Sequence, residues 1–150
     1  MRLQKATRYG LYSVLELAQD PGRQLSATDI AEIYGISANH LAKVLRDLGR
    51  AGLVDSVRGA GGGYRFSGNA RRTTLMDIIN LFEDIGSDAS SAADPGDDTD
   101  IGQSLLLVLG EIDDIARATF GSITIDTLLK TMRWRQEREE EAPAITEEVA

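Results

Sequence analysis

The sequence predicts a mainly α-helical fold: short helices lead into a two-stranded β-hairpin, and a long helix follows nearer the C-terminus. Three observations predict it. Apolar residues recur at helical spacing in three stretches before residue 52. The glycine-rich segment 59–63 separates two short alternating stretches, which is typical of a hairpin loop. From Ile101 onward, apolar residues step by four and three positions, the heptad spacing of helices that pair with one another.

Length and composition restrict the class of protein. The 150 residues, 42% of them hydrophobic, suffice for one modest core. The absence of cysteine excludes disulfides, an all-thiolate zinc site and a cysteine-held iron–sulfur cluster. The single histidine, His40, disfavours a histidine-based metal site, so no metal is predicted, although a site made of carboxylates stays open. No apolar run approaches the roughly 20 residues that span a membrane, and the N-terminus lacks a signal-peptide core, so we expect a cytoplasmic protein.

The net charge of −8 is divided unevenly along the chain. Residues 1–72 carry 11 Lys and Arg against 6 Asp and Glu, whereas residues 73–150 carry 5 against 18. A basic first half joined to an acidic second half is typical of a protein whose first half binds a polyanion. The alternative interpretation is that the charge only keeps a small protein in solution.

Two helices are predicted before residue 35. The first spans residues 7–19, with Thr7 as its N-cap and an apolar face of Leu11, Val14, Leu15 and Ala18. The second is short: Ser26 and Asp29 form a capping box at its start, and Gly35 ends it. Its apolar side is expected to comprise Ile30, Ala31, Ile33 and Tyr34.

A third helix, over residues 37–51, follows the sharp turn at Gly35 and is capped by Ser37. Its inward residues are Leu41, Val44, Leu45 and Leu48. Its outer side is polar and basic, with Asn39, His40, Lys43, Arg46, Asp47 and Arg50. Strands at 53–58 and 64–66 then flank the loop 59–63. Helix, tight turn, helix and hairpin together make a winged helix-turn-helix over residues 1–72.

The second half of the chain is expected to hold two more segments. Residues 73–132 comprise a short helix capped by Thr74, a mobile acidic loop at 84–100, a long helix over 101–120 ended by Gly121, and a short helix from Ser122 or Thr124 to Met132. Residues 133–150 form a charged tail that is predicted to be disordered.

The long helix is predicted to be a dimer interface, because it is more apolar than an exposed helix of a small domain needs to be. The alternative is that it only folds back on its own helix-turn-helix. The residues assigned to the interface are Ile101, Leu105, Val108, Leu109, Ile112 and Ile115.

The third helix and the hairpin carry groups suited to DNA. One α-helix fits the major groove, where asparagine can bond adenine and lysine can donate to guanine. Hairpin arginines can enter the minor groove, and glycines let the backbone approach the sugar–phosphate wall. A merely solvated helix face is the alternative; a nucleotide-binding loop is disfavoured because the glycines do not match GxGxxG. The predicted DNA-binding residues are Thr28, Ser37, Asn39, His40, Lys43, Ser56, Arg58, Gly59, Gly61 and Arg65.

The sequence predicts no enzyme activity. It contains no cysteine nucleophile, no GxSxG motif and no second histidine. The acid pairs Asp97-Asp98 and Asp113-Asp114 are adjacent in sequence, so their side chains point apart and do not form an acid–base pair.

A resemblance to a known family rests on the stretch YGISANHLAKVLRDLGRAGLVDSVRGAGGGYRF. It is similar to the Rrf-two type of winged-helix transcriptional regulators, typified by the iron–sulfur cluster regulator and the nitric-oxide-sensing repressor. The match extends over about residues 1–132 through MRLQKATRYGLYSVLELA, TTLMDIINLFE and GSITIDTLLK. The resemblance implies a cytoplasmic homodimer with crossing dimerisation helices on a near-palindromic operator in double-stranded DNA, more often as a repressor. It implies contacts at Ser37, Asn39, His40, Lys43, Ser56 and Arg58, with Arg58 in the minor groove.

One departure from that family concerns its cofactor. Many members carry three cysteines in the loop before the long helix, and these hold an iron–sulfur cluster, whereas residues 84–100 contain none. No cofactor is therefore predicted, and the signal stays open between an unidentified small-molecule effector and constitutive DNA binding. Two rival functions also stay open: a winged-helix protein-interaction module with no sequence-specific DNA binding and, more remotely, an enzyme with a carboxylate-held metal.

Overall fold

The computed structural model describes residues 1–86 and 94–142, which confirm the predicted fold class. The chain there forms six helices and one antiparallel two-stranded sheet, with Val54 opposite Phe66 and Val57 opposite Gly63. In chain order the elements are α1 (Lys5–Gln19), α2 (Ala27–Tyr34), α3 (Ala38–Arg50), β1 (Val54–Val57), β2 (Gly63–Phe66), α4 (Leu75–Ile79), α5 (Asp100–Ser122) and α6 (Ile125–Glu141).

Helix α1 begins earlier than its sequence pattern predicted. Its N-cap is Gln4, whose backbone N–H donates to the Glu83 carboxylate at 3.1 Å. Thr7 is fully buried instead, and its hydroxyl has no hydrogen-bond partner among residues 1–86 and 94–142. The prediction of Thr7 as N-cap was wrong because an acid from beyond α4 binds the helix start, a role that local side chains usually fill.

The buried face of α1 is also rotated from the predicted one. Leu17, which the pattern omitted, is fully buried, while Leu11 and Leu15 are half-buried. A Cβ atom at Gly10 would lie 2.5 Å from Cε2 of Phe82. Glycine at this position therefore lets α1 approach the segment after α4 closely, which explains a residue that is otherwise unfavourable inside a helix.

Helix α2 is bounded as the sequence predicted. The Ser26 hydroxyl accepts from the Asp29 backbone N–H at 3.0 Å, and the Asp29 carboxylate accepts from the Ser26 N–H at 2.9 Å, which completes the capping box. Gly35 ends the helix in the left-handed conformation, with φ of 64°. The placement of Ile33 on the apolar side was wrong: it is 53% exposed. The buried side of α2 lies between Ile30 and Ala31, and position 33 is displaced from it around the helix, on the side of Ile30 away from Ala31.

Helix α3 is fixed by its inner face. The Ser37 hydroxyl accepts from the backbone N–H of His40 at 3.4 Å and caps the first turn. The four inward residues are buried as predicted: Leu41, Val44, Leu45 and Leu48. Because this face is anchored in the core, the outer face of α3 has a defined orientation.

A single hydrophobic core draws on both halves of the sequence. Leucine and isoleucine residues of α4 and the first turns of α6 join the residues of α1–α3 and the wing in one cluster. The backbone ties the starts of α4 and α6 together, since the N–H of Leu75 donates to Ile123 and the N–H of Ile125 donates to Thr73, both at 2.9 Å. The chain therefore returns to the winged domain after α5.

Two predicted boundaries near the C-terminus were wrong. Gly121 lies inside the last turn of α5 and does not end it. Helix α6, capped by Thr124, continues to Glu141, so the predicted disorder of residues 133–150 fails as far as that residue. Ion pairs one turn apart support the extension, among them Arg135 with Glu139 at 3.2 Å. Residues 143–150 lie outside the described part of the chain.

The acidic segment 84–100 is described only at its two ends, and the prediction of a mobile loop falls largely on residues 87–93, outside the described part. At the far end, the Thr99 hydroxyl accepts from the N–H of Gly102 at 3.0 Å and caps α5. At the near end, the Arg117 guanidinium of α5 donates to the carbonyl of Ile85 and lies 3.4 Å from the Asp84 carboxylate.

Candidate nucleic-acid interface

The first turns of α3 present the polar groups that the sequence singled out. Ser37, Asn39, His40 and Lys43 are all exposed. The Ser37 hydroxyl already accepts the capping bond, which leaves its O–H free to donate. The His40 ring meets the ring of Tyr9 on α1 edge-on, with centroids 5.2 Å apart and an interplanar angle of 77°. Helix α1 therefore lies against the first turn of α3.

The hairpin between β1 and β2 owes its shape to its glycines. Gly59 and Gly61 have φ values of 109° and 75°, in the left-handed region that other residues avoid. The loop closes through the N–H of Gly62, which donates to the carbonyl of Gly59 at 2.9 Å. A Cβ atom at Gly62 would overlap the carbonyl oxygen of Val57. These glycines are required by the backbone, and whether Gly59 and Gly61 also contact DNA stays a prediction.

The base of the hairpin is fastened to the start of the helix-turn-helix. The N–H of Leu25 donates to the carbonyl of Tyr64 at 3.0 Å, and the N–H of Tyr64 donates to the carbonyl of Leu25 at 2.7 Å. Gly63 makes this approach feasible, because a Cβ atom there would lie 2.6 Å from the carbonyl carbon and oxygen of Leu25. Sequence reasoning missed the pairing of Leu25 with Tyr64. The glycine beside the second strand, Gly63, was the available signal of a close backbone approach.

The two hairpin arginines differ in what surrounds them. Arg65 is opposite Asp55 across the strands, and its guanidinium lies 3.6 Å from that carboxylate. Arg58 is exposed and makes no ion pair within the described residues. Arg58 therefore offers a guanidinium that no acid neutralises, whereas Arg65 would have to exchange Asp55 for a new partner.

The same distinction separates the basic residues of α3. Arg50 lies 3.7 Å from the Asp47 carboxylate one turn earlier. Lys43 and Arg46 are exposed and have no acid within ion-pair distance in the described ranges. The cations of α3 that are free for an external anion thus lie on the first three turns.

All ten predicted DNA-binding residues are exposed, and they fall on three elements: the first turn of α2, the first turns of α3, and the wing. Thr28 is on α2, two residues beyond the Ser26 cap, and Ser56 is on β1. The bond between Leu25 and Tyr64 brings the start of α2 to the base of the wing. The structure therefore brings the start of α2 next to the base of the wing, although the two are about 40 residues apart in sequence.

A polar and aromatic network supports the outer side of α1 and the end of α2. Tyr12 of α1 stacks on Tyr34, the last residue of α2, with centroids 5.0 Å apart and planes 7° from parallel. The Tyr34 hydroxyl donates to Glu16 at 2.7 Å, and Glu16 pairs with Arg23 at 2.6 Å. Burial, and then the bond to Glu16, raise the pKa of Tyr34 above its usual value, so its hydroxyl remains a donor. Sequence reasoning missed this network, although Tyr9 and Tyr12 share one side of α1.

Residues 1–86 and 94–142 contain no group of three or more His, Cys, Asp or Glu side chains placed to hold a metal ion. No helix in the same ranges is long and apolar enough to cross a membrane.

The α2–Gly35–α3 unit followed by a β-hairpin defines the class: a winged helix-turn-helix, a fold whose second helix typically enters the major groove. The chain belongs to the Rrf2 family, whose model, described as an iron-dependent transcriptional regulator, matches residues 3–131. Since the family and the relatives below are transcriptional regulators, this chain is a transcriptional regulator and not an enzyme, as the sequence predicted.

Known relatives match nearly the whole chain. The HTH-type transcriptional regulator BadM of Rhodopseudomonas palustris is 56% identical over 143 residues, which cover 95% of this chain and 90% of that protein. The solved structure of T. potens IscR is 30% identical, covers 91% of each chain and superposes with a TM-score of 0.72. CymR, the global cysteine regulator of B. subtilis, is 29% identical with a TM-score of 0.69 and covers 87% of this chain and 98% of its own. The named family confirms the resemblance inferred from the recognition helix and wing.

Proposed function

We propose that this transcriptional regulator is a homodimeric repressor that binds a near-palindromic operator and works without a cysteine-ligated iron–sulfur cluster. Helix α3 enters the major groove, and Arg58 at the start of the wing loop enters the adjacent minor groove. A regulator of transcription acts where its DNA is, so we expect it in the cytoplasm. The exposed apolar face of α5 is the observation that carries the proposal.

Helix α5 has no buried residue within the described part of the chain. The six residues predicted for the interface are exposed by 47% at Leu109 to 83% at Ile101. A row from Ile101 to Ile115 extends over about 21 Å at the usual helical rise of roughly 1.5 Å per residue. Monomeric proteins rarely expose a continuous apolar strip of this length, and heptad spacing suits pairing with an identical helix. The alternative that α5 only folds back on its own domain does not account for these exposed side chains.

A two-fold pair of α5 helices gives a reason for the proposed operator. In a closed dimer the same surface of each copy meets its equivalent, so the two α3 helices are related by the same axis. Two symmetric recognition helices read two symmetric half-sites, which makes the preferred site a near-palindrome.

The donor set argues against the iron–sulfur cluster that many members of the family carry. Such clusters are held by thiolates, and this chain has no cysteine. The described part of the segment that carries the cysteines in relatives holds carboxylates instead, among them Asp94 and Asp97. We expect anaerobically purified protein to lack the visible absorption of a cluster and to bind DNA equally well before and after iron chelation. A chelation-sensitive affinity would contradict this part of the proposal.

The homodimer is tested by sedimentation equilibrium on wild type and on Leu105→Lys. Lysine in the heptad row should dissociate the dimer and weaken operator binding, because a charge cannot be buried there without a partner. Leu107→Lys is the matched control: it makes the same change at another exposed leucine of α5 that lies outside the row. A monomeric wild type, or equal effects of the two variants, would refute the α5 interface.

Repression is tested with a reporter gene driven by the promoter upstream of the protein's own gene, together with a gel shift on that promoter. The proposal predicts lower expression when the protein is present and a shift that salt reverses. Failure of the wild type to shift this duplex at low salt would favour the protein-interaction module.

A further inference from the structure

We propose that Arg8, on the exposed side of α1, binds a backbone phosphate of double-stranded DNA beside the groove that α3 enters, and that Lys5 adds a second phosphate contact. The inference rests on the proposed DNA-binding function and extends it to a helix outside the helix-turn-helix and the wing. The ligand is a phosphodiester, so these contacts contribute affinity and orientation but carry no sequence information.

Helix α1 lies beside the start of α3. Tyr9, the neighbour of Arg8, touches His40 on the first turn of α3, and Tyr12 stacks on Tyr34, immediately before the Gly35 turn. This edge of α1 therefore flanks the point where the chain enters the recognition helix. The wing, in contrast, follows the other end of α3, so the two cationic sites would reach different stretches of the DNA backbone.

Arg8 is held in place by Tyr12. Its Nη2 donates to the Tyr12 hydroxyl at 2.9 Å, and its guanidinium carbon lies 5.8 Å from the centre of the Tyr12 ring. Tyr12 is itself fixed by its stack on Tyr34, whose hydroxyl is bound to Glu16. A side chain that is already ordered loses less conformational entropy when it binds a phosphate than a freely rotating arginine does.

No acid of the described residues competes for Arg8. It and Lys5 are exposed, and neither makes an ion pair within residues 1–86 and 94–142. Other arginines of the winged domain do have such partners: Arg23 with Glu16, Arg50 with Asp47, and Arg65 with Asp55. An ordered guanidinium with unused donors suits the bidentate geometry of a phosphate. Lys5, three residues earlier, is its neighbour on the helix surface.

The test is a salt titration of binding to a mixed-sequence DNA duplex, followed by fluorescence anisotropy. Glutamine at position 8 removes the charge but can still donate to the Tyr12 hydroxyl, so Arg8→Gln should keep the local structure. Arg8→Gln should lower the slope of log affinity against log salt by about 0.9, the value for one phosphate contact, and the double variant with Lys5→Ala by about twice that. Arg8→Lys should retain the slope.

Two further variants make the outcome decisive. Arg133→Ala removes an exposed arginine of α6 beside Gln19, at the opposite end of α1, and should leave the slope unchanged. Arg58→Ala should weaken binding if the proposed function holds. A wild-type slope for Arg8→Gln would overturn the inference, even if thermal unfolding showed a change in stability. The proposed function would still stand in that case if Arg58→Ala weakened DNA binding. A wild type that binds no duplex at low salt would overturn both.

Discussion

Replacement of Gly63 by alanine should detach the wing from the helix-turn-helix. The added Cβ would lie 2.6 Å from the carbonyl carbon and oxygen of Leu25 and 2.9 Å from the nitrogen of Ser26. These are backbone atoms, so no side-chain rotation relieves the overlap. Gly63 itself does not have a left-handed φ, so the expected cost comes from this close approach and not from backbone strain.

The magnitude follows from the bonds that must open. The two hydrogen bonds between Leu25 and Tyr64, at 3.0 and 2.7 Å, cannot persist once β2 moves away from the segment before α2. At roughly 0.5–1.5 kcal/mol for each hydrogen bond, Gly63→Ala should reduce the free energy of unfolding by about 1–3 kcal/mol. For a chain of this size that corresponds to a fall in Tm of roughly 2–12 °C. Operator affinity should also fall, because Arg58 directly follows β1, the strand that pairs with the displaced β2.

Thermal unfolding followed by circular dichroism measures this change, with a gel shift on the same protein. Gly121→Ala is the matched control, since a Cβ there meets nothing within 4 Å and the residue lies inside α5. Alanine in a helix is favoured over glycine by up to about 1 kcal/mol, so this variant should be neutral or more stable. Unfolding of Gly63→Ala at the wild-type temperature would refute the close-approach argument.

Three further predictions concern single side chains. Arg58→Ala should cost about 1–3 kcal/mol of site discrimination, measured as the ratio of operator affinity to mixed-sequence affinity. The loss should exceed that of Arg65→Ala, which removes an arginine already paired with Asp55. Equal losses would contradict the distinction between a free Arg58 and a paired Arg65. Thr7→Val should raise the free energy of unfolding by about 1 kcal/mol in urea denaturation, because it removes a buried hydroxyl without a described partner; a loss of stability would mean that the hydroxyl is bonded. The capping box lowers the pKa of Asp29 below 3.8, chiefly through the hydrogen bond from the Ser26 backbone N–H. The stability that this carboxylate contributes is therefore present above pH 3.8 and is lost as the pH falls through the lowered pKa. The difference in the free energy of unfolding between wild type and Asp29→Asn should disappear in acid, and a difference that persists there would refute the capping role.

Much of the fold was predictable because its signals are local. The capping box of Ser26 and Asp29, the left-handed Gly35 and the Ser37 cap each depend on residues within one helical turn. The inner face of α3 depends on spacing alone. Thr7 and Ile33 were misplaced because their environment is set by other elements: Glu83 binds the N-cap of α1, and the core contacts only one side of α2.

The candidate site was predictable in its residue types but not in its electrostatics. Asn39, His40 and Lys43 could be assigned from their positions on a polar helix face. Which hairpin arginine is free could not, because the ion pair of Arg65 with Asp55 depends on the register of two strands.

The sequence by itself determined the class of this protein, its helix-turn-helix, its glycine-rich wing and the lack of thiolate ligands, because these follow from residue type and short-range spacing. Tertiary structure alone decided the rest. It brought Leu25 to Tyr64 to fasten the wing, Glu83 to Gln4 across 79 positions, and Tyr9 to His40 so that α1 borders the start of α3. The physical reason is that such contacts join residues distant in sequence, and they form only when burial of the shared core has fixed how the helices pack.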